Sequence, residues 1–513
     1  MPVVPSDANL LQDRRELYRF LATCQQVAVE KQCPQIASIS LEVPPLDPLA
    51  ILQALARPSR LYFYLENGGE QEAIAAIDSA VEFEVSRGKD RFDLVREFVR
   101  SSQKNTIATG LLDPPFSGLH FFCSFTFFDD PSSESSPFPA ARAFLPRWQI
   151  SRSQNRCFLA INTCLQSDDD LDRLSERVWQ DYQNIIHIPS NGLRQFEPLH
   201  RLNGFKKFSI EQLRNFKESA IAAIDAIGDR QFHKIVLAHA IDVTLKTPFN
   251  LVHSLQNLSA LYPDCYIFAT GNGRGDRFIG ASPERLLGIR NGQLVTDALA
   301  GSAPRGRTPR EDEALAQALL NSEKERHEHR LVIDFITECL QQLGLNVANN
   351  RAIPLVPHLL QLSNIQHLWT PIRTEVPANV HPLEILARLH PTPAVAGSPQ
   401  QTACEQIRHY ECFDRGLYAA PLGWVDDRGN AEFIVGIRSA WIHGDTSFSF
   451  GEASRTESFR EQRQSPAFNP STNPDPGDRA RLYAGAGIVA GSDPDKELAE
   501  IQLKLQALLK ALL

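Results

Sequence analysis

Lys234 stands at the mouth of an apolar run, HKIVLAHA, and Glu284 lies in a turn-like segment, SPERL. A lysine that works as a base needs its pKa lowered, and a glutamate that works as an acid needs its pKa raised; burial does both. Taken singly, each residue reads more simply as a solvated strand end or a solvated turn. Two glutamate pairs add metal chemistry. In EKERHEHRLVID, Glu325 and Glu328 are three positions apart and share a helix face. In YAGAGIVAGSDPDKELAEIQLK, Glu497 and Glu500 repeat that spacing, with Lys504 one turn later. His327 and His329 miss the H-E-x-x-H zinc spacing. The donors are therefore oxygens, which suit a hard cation such as Mg²⁺. Gly485, Gly487 and Gly491 permit close backbone approach, and their amides beside a metal would suit a carboxylate.

These residues need elements to position them. The alternating, β-branched run 234–244 reads as a strand, as do 264–270, 278–280, 286–290 and 293–296, with Asn291-Gly292 as a hairpin turn. Further strands are expected at 424–425, 432–440 and 447–450, and helices at 309–320, 323–343 and 494–513. A helix over 209–227 would start on Ser209 and stop at Gly228. Earlier in the chain, 8–32 and 168–186 read as helices and 60–65 and 119–128 as strands, with 129–139 an exposed loop. Strands and helices do not alternate regularly, so the fold class is α+β. Residues 453–479 are polar, proline-rich and nearly free of aliphatic side chains, the pattern of a mobile insertion.

Composition narrows the function classes. The 513 residues are 42% hydrophobic and 22% charged, ordinary values for a globular protein. A net charge of −9 and the lack of any Lys/Arg-rich run argue against nucleic acid as a partner. An anionic ligand would need local cations or a metal. The nine cysteines form no C-x-x-C pair and suggest reduced thiols in a cytoplasmic setting. No apolar run reaches the length of a membrane span, and the N-terminus lacks the pattern of a secretory signal.

Over roughly residues 200–510 the sequence resembles the chorismate-utilising enzymes, the anthranilate, aminodeoxychorismate, isochorismate and salicylate synthases. KIVLA, SPERL, TDALAGSAPRG, EKERHEHRLVID, HPTPAVAGSP, GLYAAPLGW, EFIVGIRSA and YAGAGIVAGSDPDKELAEIQLK carry the resemblance, in the family's order. It implies an α+β unit with two large antiparallel sheets face to face and helices outside, residues 1–200 being integrated with the catalytic part 201–513. It implies that Lys234 activates water for attack at C2 of the chorismate ring and that Glu284 protonates the departing 4-hydroxyl. Glu328 and Glu500 would bind Mg²⁺, supported by Glu325 and Glu497. Gly485, Gly487 and Lys504 would hold the ring carboxylate, and Tyr418 and Arg438 the enolpyruvyl carboxylate. His390 falls in a family motif, with a structural role as an equal alternative.

Within the family, Lys234 resembles the water-adding branch. Ala300 stands where aminodeoxychorismate synthases typically carry a nucleophilic lysine. Gly301 and Ser302 follow, the serine replacing a more usual threonine. The resemblance therefore points to an isochorismate synthase of menaquinone or phylloquinone biosynthesis, without an amidotransferase partner. Salicylate synthase, or a catalytically silent chorismate-binding subunit, are the alternatives.

Overall fold

The strand that begins at Lys234 lies next to the end of one arm of a large hydrogen-bonded network, and the other arm curls round to meet it. The computed structural model describes residues 11, 13–130, 136–189, 210–244, 249–347, 354, 356–362, 365–444 and 479–512, with helical backbone alone at 210–214. The chain starts with α1 (Arg14–Lys31), β1 (Gln35–Val43), α2 (Pro48–Leu55), β2 (Leu61–Asn67) and β3 (Glu72–Val85). Then come α3 (Arg91–Lys104), β4 (Thr106–Gly110), β5 (His120–Phe125), β6 (Ala141–Ser153), β7 (Arg156–Leu165) and α4 (Leu171–Ile186). The second half opens with α5 (Ile210–Gly228), β8 (Lys234–Thr244), α6 (Leu251–Leu261), β9 (Tyr266–Asn272) and β10 (Arg277–Ser282). β11 (Arg285–Arg290), β12 (Gln293–Pro304), α7 (Pro309–Asn321), α8 (Glu323–Gln342), β13 (His358–Gln361) and β14 (Ile365–Glu375) follow. The chain continues through α9 (Pro382–Leu389), β15 (Gly397–Ser398), α10 (Gln400–Tyr410), β16 (Pro421–Asp426) and β17 (Ala431–Val435). It finishes with β18 (Ser439–Ile442), β19 (Arg479–Val489) and α11 (Pro494–Leu512).

The architecture is α+β and antiparallel, with β1–β4 as the one parallel pairing among the described residues. One arm runs β13–β14–β12–β11–β17–β16–β5 and the other β2–β9–β10–β18–β19–β8–β15. The long strands β3 and β6 join them, so the two expected sheets are continuous. β2 and β5 lie three ladder steps apart, about 14 Å on a flat sheet. Yet the rings of Phe63 and Phe122 are 5.2 Å apart, which requires the network to fold over on itself. Those rings belong to a core of buried phenylalanine and aliphatic side chains between the layers.

Several expectations shift in detail. The strand expected at 432–440 is two strands, broken where Arg438 takes a left-handed φ of 50°. β12 continues far past 296, through TDALAGSAP. Asn291 and Gly292 both have positive φ, as the hairpin requires. In the segment read as an exposed loop, Phe138 is buried near Phe278, because an aromatic ring can leave a polar loop for the core. Ser209, 447–450 and 453–478 lie outside the described residues, whereas Arg479 opens β19.

Strands from the first half pair with strands of the second: β2 with β9 over seven residue pairs, and β5 with β16 over five. A truncated chain starting at residue 201 would leave both partners with open edges, which promote aggregation. It is expected to be insoluble or molten when its solubility and near-UV circular dichroism are compared with those of the full chain. A soluble, cooperatively folded fragment would show instead that the two halves are separable.

Candidate active site

Lys234 is 1% exposed, and its Nζ lies 2.6 Å from Glu328 Oε1 on α8. β8 is held over its whole length by β19 and, at Lys234 and Ile235, by Gly397 and Ser398 of β15. Two glycines make this possible. A Cβ on Gly397 would lie 2.2 Å from the Lys234 carbonyl oxygen, and one on Gly487 would press on the ion pair, 3.1 Å from Glu328 Oε1. The HPTPAVAGSP motif therefore serves the lysine through its backbone. On α8, Ser322 caps the helix by accepting from Glu325 N, and His329, Val332, Ile333 and Ile336 bury one face. That burial fixes the helix rotation and so the place of Glu328. Burial pushes the Glu328 carboxyl upward, but the charge and hydrogen bond of Lys234 outweigh it, and the net shift is downward.

Glu284 shows the opposite behaviour. It is buried at the turn between β10 and β11 and lines a cavity of about 120 Å³. Desolvation first, then repulsion from Asp297, push its pKa up to about 8, against the pull of Lys234. The acid is therefore protonated at neutral pH, as the sequence argument requires. The cavity lies between the two arms, with Val236 from one and Leu299, Ala300, Gly301 and Ser302 from the other. At Gly301, φ is 81° and the β12–β14 register slips, a bulge that aims the Ser302 N–H at Glu325 Oε2, 3.2 Å away.

Glu325, Glu328, Glu497 and Glu500 line a second cavity of about 450 Å³ that shares Gly301, Ser302, Glu328, Gly487 and Glu500 with the first. They are neighbours, but they do not form a ready-made cage. Glu328 is held by Lys234, and Glu500 by Lys504 at 2.6 Å. Among the described residues no three acidic, histidine or cysteine groups stand close enough to enclose an ion. Lys324 makes only long contacts with the other two, 3.7 Å to Glu325 and 3.9 Å to Glu497. Glu325 is shifted upward by desolvation and by Glu328, and Glu497 to about 7 by desolvation and by Glu500. An all-oxygen set of mutually repelling carboxylates fits a divalent cation.

The rest of the cavity is cationic and aromatic. Lys504 Nζ donates to the Gly485 carbonyl at 2.8 Å. Among the described residues β19 has no strand partner on its β18 side beyond Leu482, and Gly485 and Gly487 line the cavity there. Tyr418 stacks on Tyr483, and a Cβ on Gly485 would sit 2.8 Å from the Tyr418 hydroxyl. Arg438 lines the wall, its Nη2 3.3 Å from His367 Nε2, while His367 Nδ1 meets Ser302 Oγ at 2.8 Å. Desolvation, then Arg438 and Lys504, hold His367 well below the usual histidine range, so it is neutral. Sequence reasoning missed His367 and Arg415. No motif spacing marks the histidine. Arg415 is fully buried on Glu411 and bonds to the carbonyls of Val236 and Val395, and only structure reveals that.

His390 does not belong to this site. Its Nε2 bonds to the Phe127 carbonyl at 3.1 Å, its ring packs on Phe92 and Phe127, and burial lowers its pKa to about 3. It is a neutral structural histidine; of the other candidate residues all but Lys234 and Gly491 line the two joined cavities, and Lys234 reaches them through Glu328.

The chorismate binding enzyme family is matched over residues 20–451 and 476–513. The salicylate biosynthesis isochorismate synthase of Pseudomonas aeruginosa is 31% identical over 492 residues, 93% of this chain and 90% of its own. Isochorismate synthase MenF of Bacillus subtilis is 30% identical over 394 residues, 75% and 72% of the two chains. Among solved structures, MenF, the menaquinone-specific isochorismate synthase of Escherichia coli, superposes with a TM-score of 0.70 at 24% identity, covering 96% of this chain and all of its own. Anthranilate synthase component I of Streptococcus pneumoniae has a TM-score of 0.62 at 19% identity, with 85% and 92% covered.

The raised pKa of Glu284 has a consequence for stability. An acid whose folded pKa exceeds its unfolded value must take up a proton on folding, so stability is lost as pH rises from about 4.5 towards 8. Glu284→Gln removes that cost. The variant is expected to gain about 1–3 kcal/mol in chemical denaturation at pH 8 and little at pH 4.5. An equal effect at both values would mean that Glu284 is ionised in the fold.

Proposed function

The chain belongs to the chorismate-binding enzyme family, and on that footing we propose that it is an isochorismate synthase, an isomerase that exchanges the 4-hydroxyl of chorismate for a hydroxyl at C2. The observation that carries this reading is a buried glutamic acid in the cavity wall, its pKa pushed up to about 8, with the buried Lys234 joined to the same wall through Glu328. In its neutral form, with the proton of the resting ion pair given up, Lys234 takes a proton from water as the water oxygen bonds to C2. The two ring double bonds each shift by one position, the C4–O bond breaks, and Glu284 gives its proton to the leaving hydroxyl from the opposite face. One water enters and one leaves, so substrate and product are isomers.

Chorismate carries two carboxylates, and the cavity offers two places for them. Arg438 and the Tyr418 hydroxyl suit the planar enolpyruvyl carboxylate. Lys504 with the backbone at Gly485 and Gly487 suits the ring carboxylate. Glu328 and Glu500, with Glu325 and Glu497 behind them, would hold Mg²⁺. That ion supplies positive charge to the ring carboxylate in a protein of net charge −9. Ala300 gives no nucleophile at its position, which supports addition of water to the ring over formation of a covalent lysine adduct. We also assign the first 200 residues to the same folding unit, and the product to menaquinone or phylloquinone biosynthesis. The relatives named as isochorismate synthases support the reaction.

Purified protein given chorismate and Mg²⁺ at neutral pH is expected to yield isochorismate, separated chromatographically, and the reaction should run backward from isochorismate. Salicylate and pyruvate formed at the rate of chorismate loss would favour a salicylate synthase instead. Lys234→Ala should lower turnover by on the order of 10²–10⁴-fold while chorismate still binds. Near-parental turnover of that variant would remove lysine from the mechanism. Excess chelator should abolish activity and Mg²⁺ restore it, and Glu328→Gln or Glu500→Gln should raise the Mg²⁺ concentration required.

A further inference from the structure

The turn that presents Glu284 is secured from outside the cavity. Glu284 N donates to Ser282 Oγ at 3.2 Å, and its carbonyl accepts from Val435 N at 3.1 Å. The next residue, Arg285, directs its guanidinium to Asp297 on β12, 3.3 Å from Oδ2 and 3.4 Å from Oδ1. Trp369 on β14 donates its indole N–H to the same Asp297 Oδ1 at 2.9 Å. Both ends of the Arg285–Asp297 pair are largely buried, at 17% and 10% side-chain exposure. Gly288 makes room for it, since a Cβ there would lie 2.9 Å from Arg285 Cδ. The β11–β17 register also slips between Arg285 and Leu287, just where the turn must be fixed by something other than the ladder.

We propose that Asp297 is a positioning residue for Glu284: tied to Trp369 on one strand and to Arg285 on another, it locks the turn that carries the acid and sets a fixed negative charge beside it. This inference rests on the reading of Glu284 as the acid. Burial pushes the Asp297 pKa upward, against the charge of Arg285 and the hydrogen bonds from Trp369 and Arg285; held as the anion by those two donors, it makes ionisation of a second carboxylate nearby unfavourable. The groups facing Glu284 are Asp297 from β12, which opposes loss of its proton, and Lys234 from β8, which favours it. Asp297 itself faces Arg285 from β11, Trp369 from β14 and Glu432 from β17. Glu432 is in turn engaged by Tyr266 from β9 and by Arg290. The acid thus keeps its proton through burial and through one anchored like charge, while the cations on the far side of that charge are occupied.

The test is the pH dependence of kcat for chorismate conversion by the Mg²⁺-loaded full chain. Glu284 must be protonated to act, so its ionisation sets the alkaline limb. Asp297→Asn preserves shape but removes the charge, and is expected to move that limb to lower pH by about one unit with KM changed less than about twofold. Asp297→Glu, which restores the charge, should return the limb towards the parent. A merely structural aspartate would lower thermal stability in both variants and leave the limb where it was, and that result overturns the proposal. Should Asp297→Asn fail to fold, Trp369→Phe removes one tether and keeps the Arg285 pair. It should lower kcat several-fold at constant KM, and parental kcat overturns the proposal. A parent that makes no isochorismate would defeat the functional reading and this inference together. A parent that does, with an alkaline limb insensitive to Asp297→Asn, would defeat this inference alone.

Discussion

The Lys234–Glu328 contact imposes a strict condition on the molecule, because it buries an ammonium and a carboxylate that water would otherwise solvate. Such a pair gains its Coulomb energy only at close range and with good geometry, and losing one partner strands the other at a cost of several kcal/mol. Strand β8 and helix α8 come from distant parts of the chain, so their relative position is fixed by everything that packs between them. The ladder to β19, the short ladder to β15, the capped start of α8 and the missing side chains at Gly397 and Gly487 all meet this condition. The pair stores no special stability. It specifies an arrangement, one that places the lysine against the glutamate cluster.

Glu284 obeys the complementary rule. Where Lys234 finds an opposite charge, Glu284 meets burial and a like charge, so one acidic residue in the cavity is ionised and the other is not. Environment alone separates their roles, since both are glutamates. The same division extends along the cavity. Its glutamate-rich end sets four carboxylates against Lys324 and Lys496, and its other end presents Arg438, Lys504 and a neutral His367. Arg438 and Lys504 supply positive charge for a small dianion, and approach of a carboxylate to the glutamate-rich end would need a cation bound there.

Much of this was legible in the sequence, and the reasons differ by residue. Lys234, Glu284 and the two glutamate pairs sit in contiguous runs whose chemistry is carried by side-chain type and helical spacing. The α5, α8 and α11 helices and the Asn291-Gly292 hairpin announce themselves by periodicity and by turn residues. What stayed hidden depends on long-range packing. The break that separates β17 from β18 and puts Arg438 in the cavity wall occurs in an unbroken strand-like sequence, because it is set by a left-handed φ at an arginine. His367 and Trp369 alternate along β14 and acquire their roles only from β12, which no local pattern pairs with it. His390 erred the other way: its motif supports the fold next to the site, and its ring turns to the Phe127 carbonyl. Of the N-terminal strands β2 and β5 were read, whereas β1 and β7 were not, since nearly all their residues are buried and show no alternation.

The account turns on water, activated at Lys234, becoming the new hydroxyl of the product. Turnover in H₂¹⁸O followed by mass spectrometry of the isochorismate tests this most directly. Attack by solvent predicts one ¹⁸O in the C2 hydroxyl from the first turnovers. Isochorismate that carries only the oxygen originally at C4 would show an internal hydroxyl transfer and contradict the roles assigned to both Lys234 and Glu284.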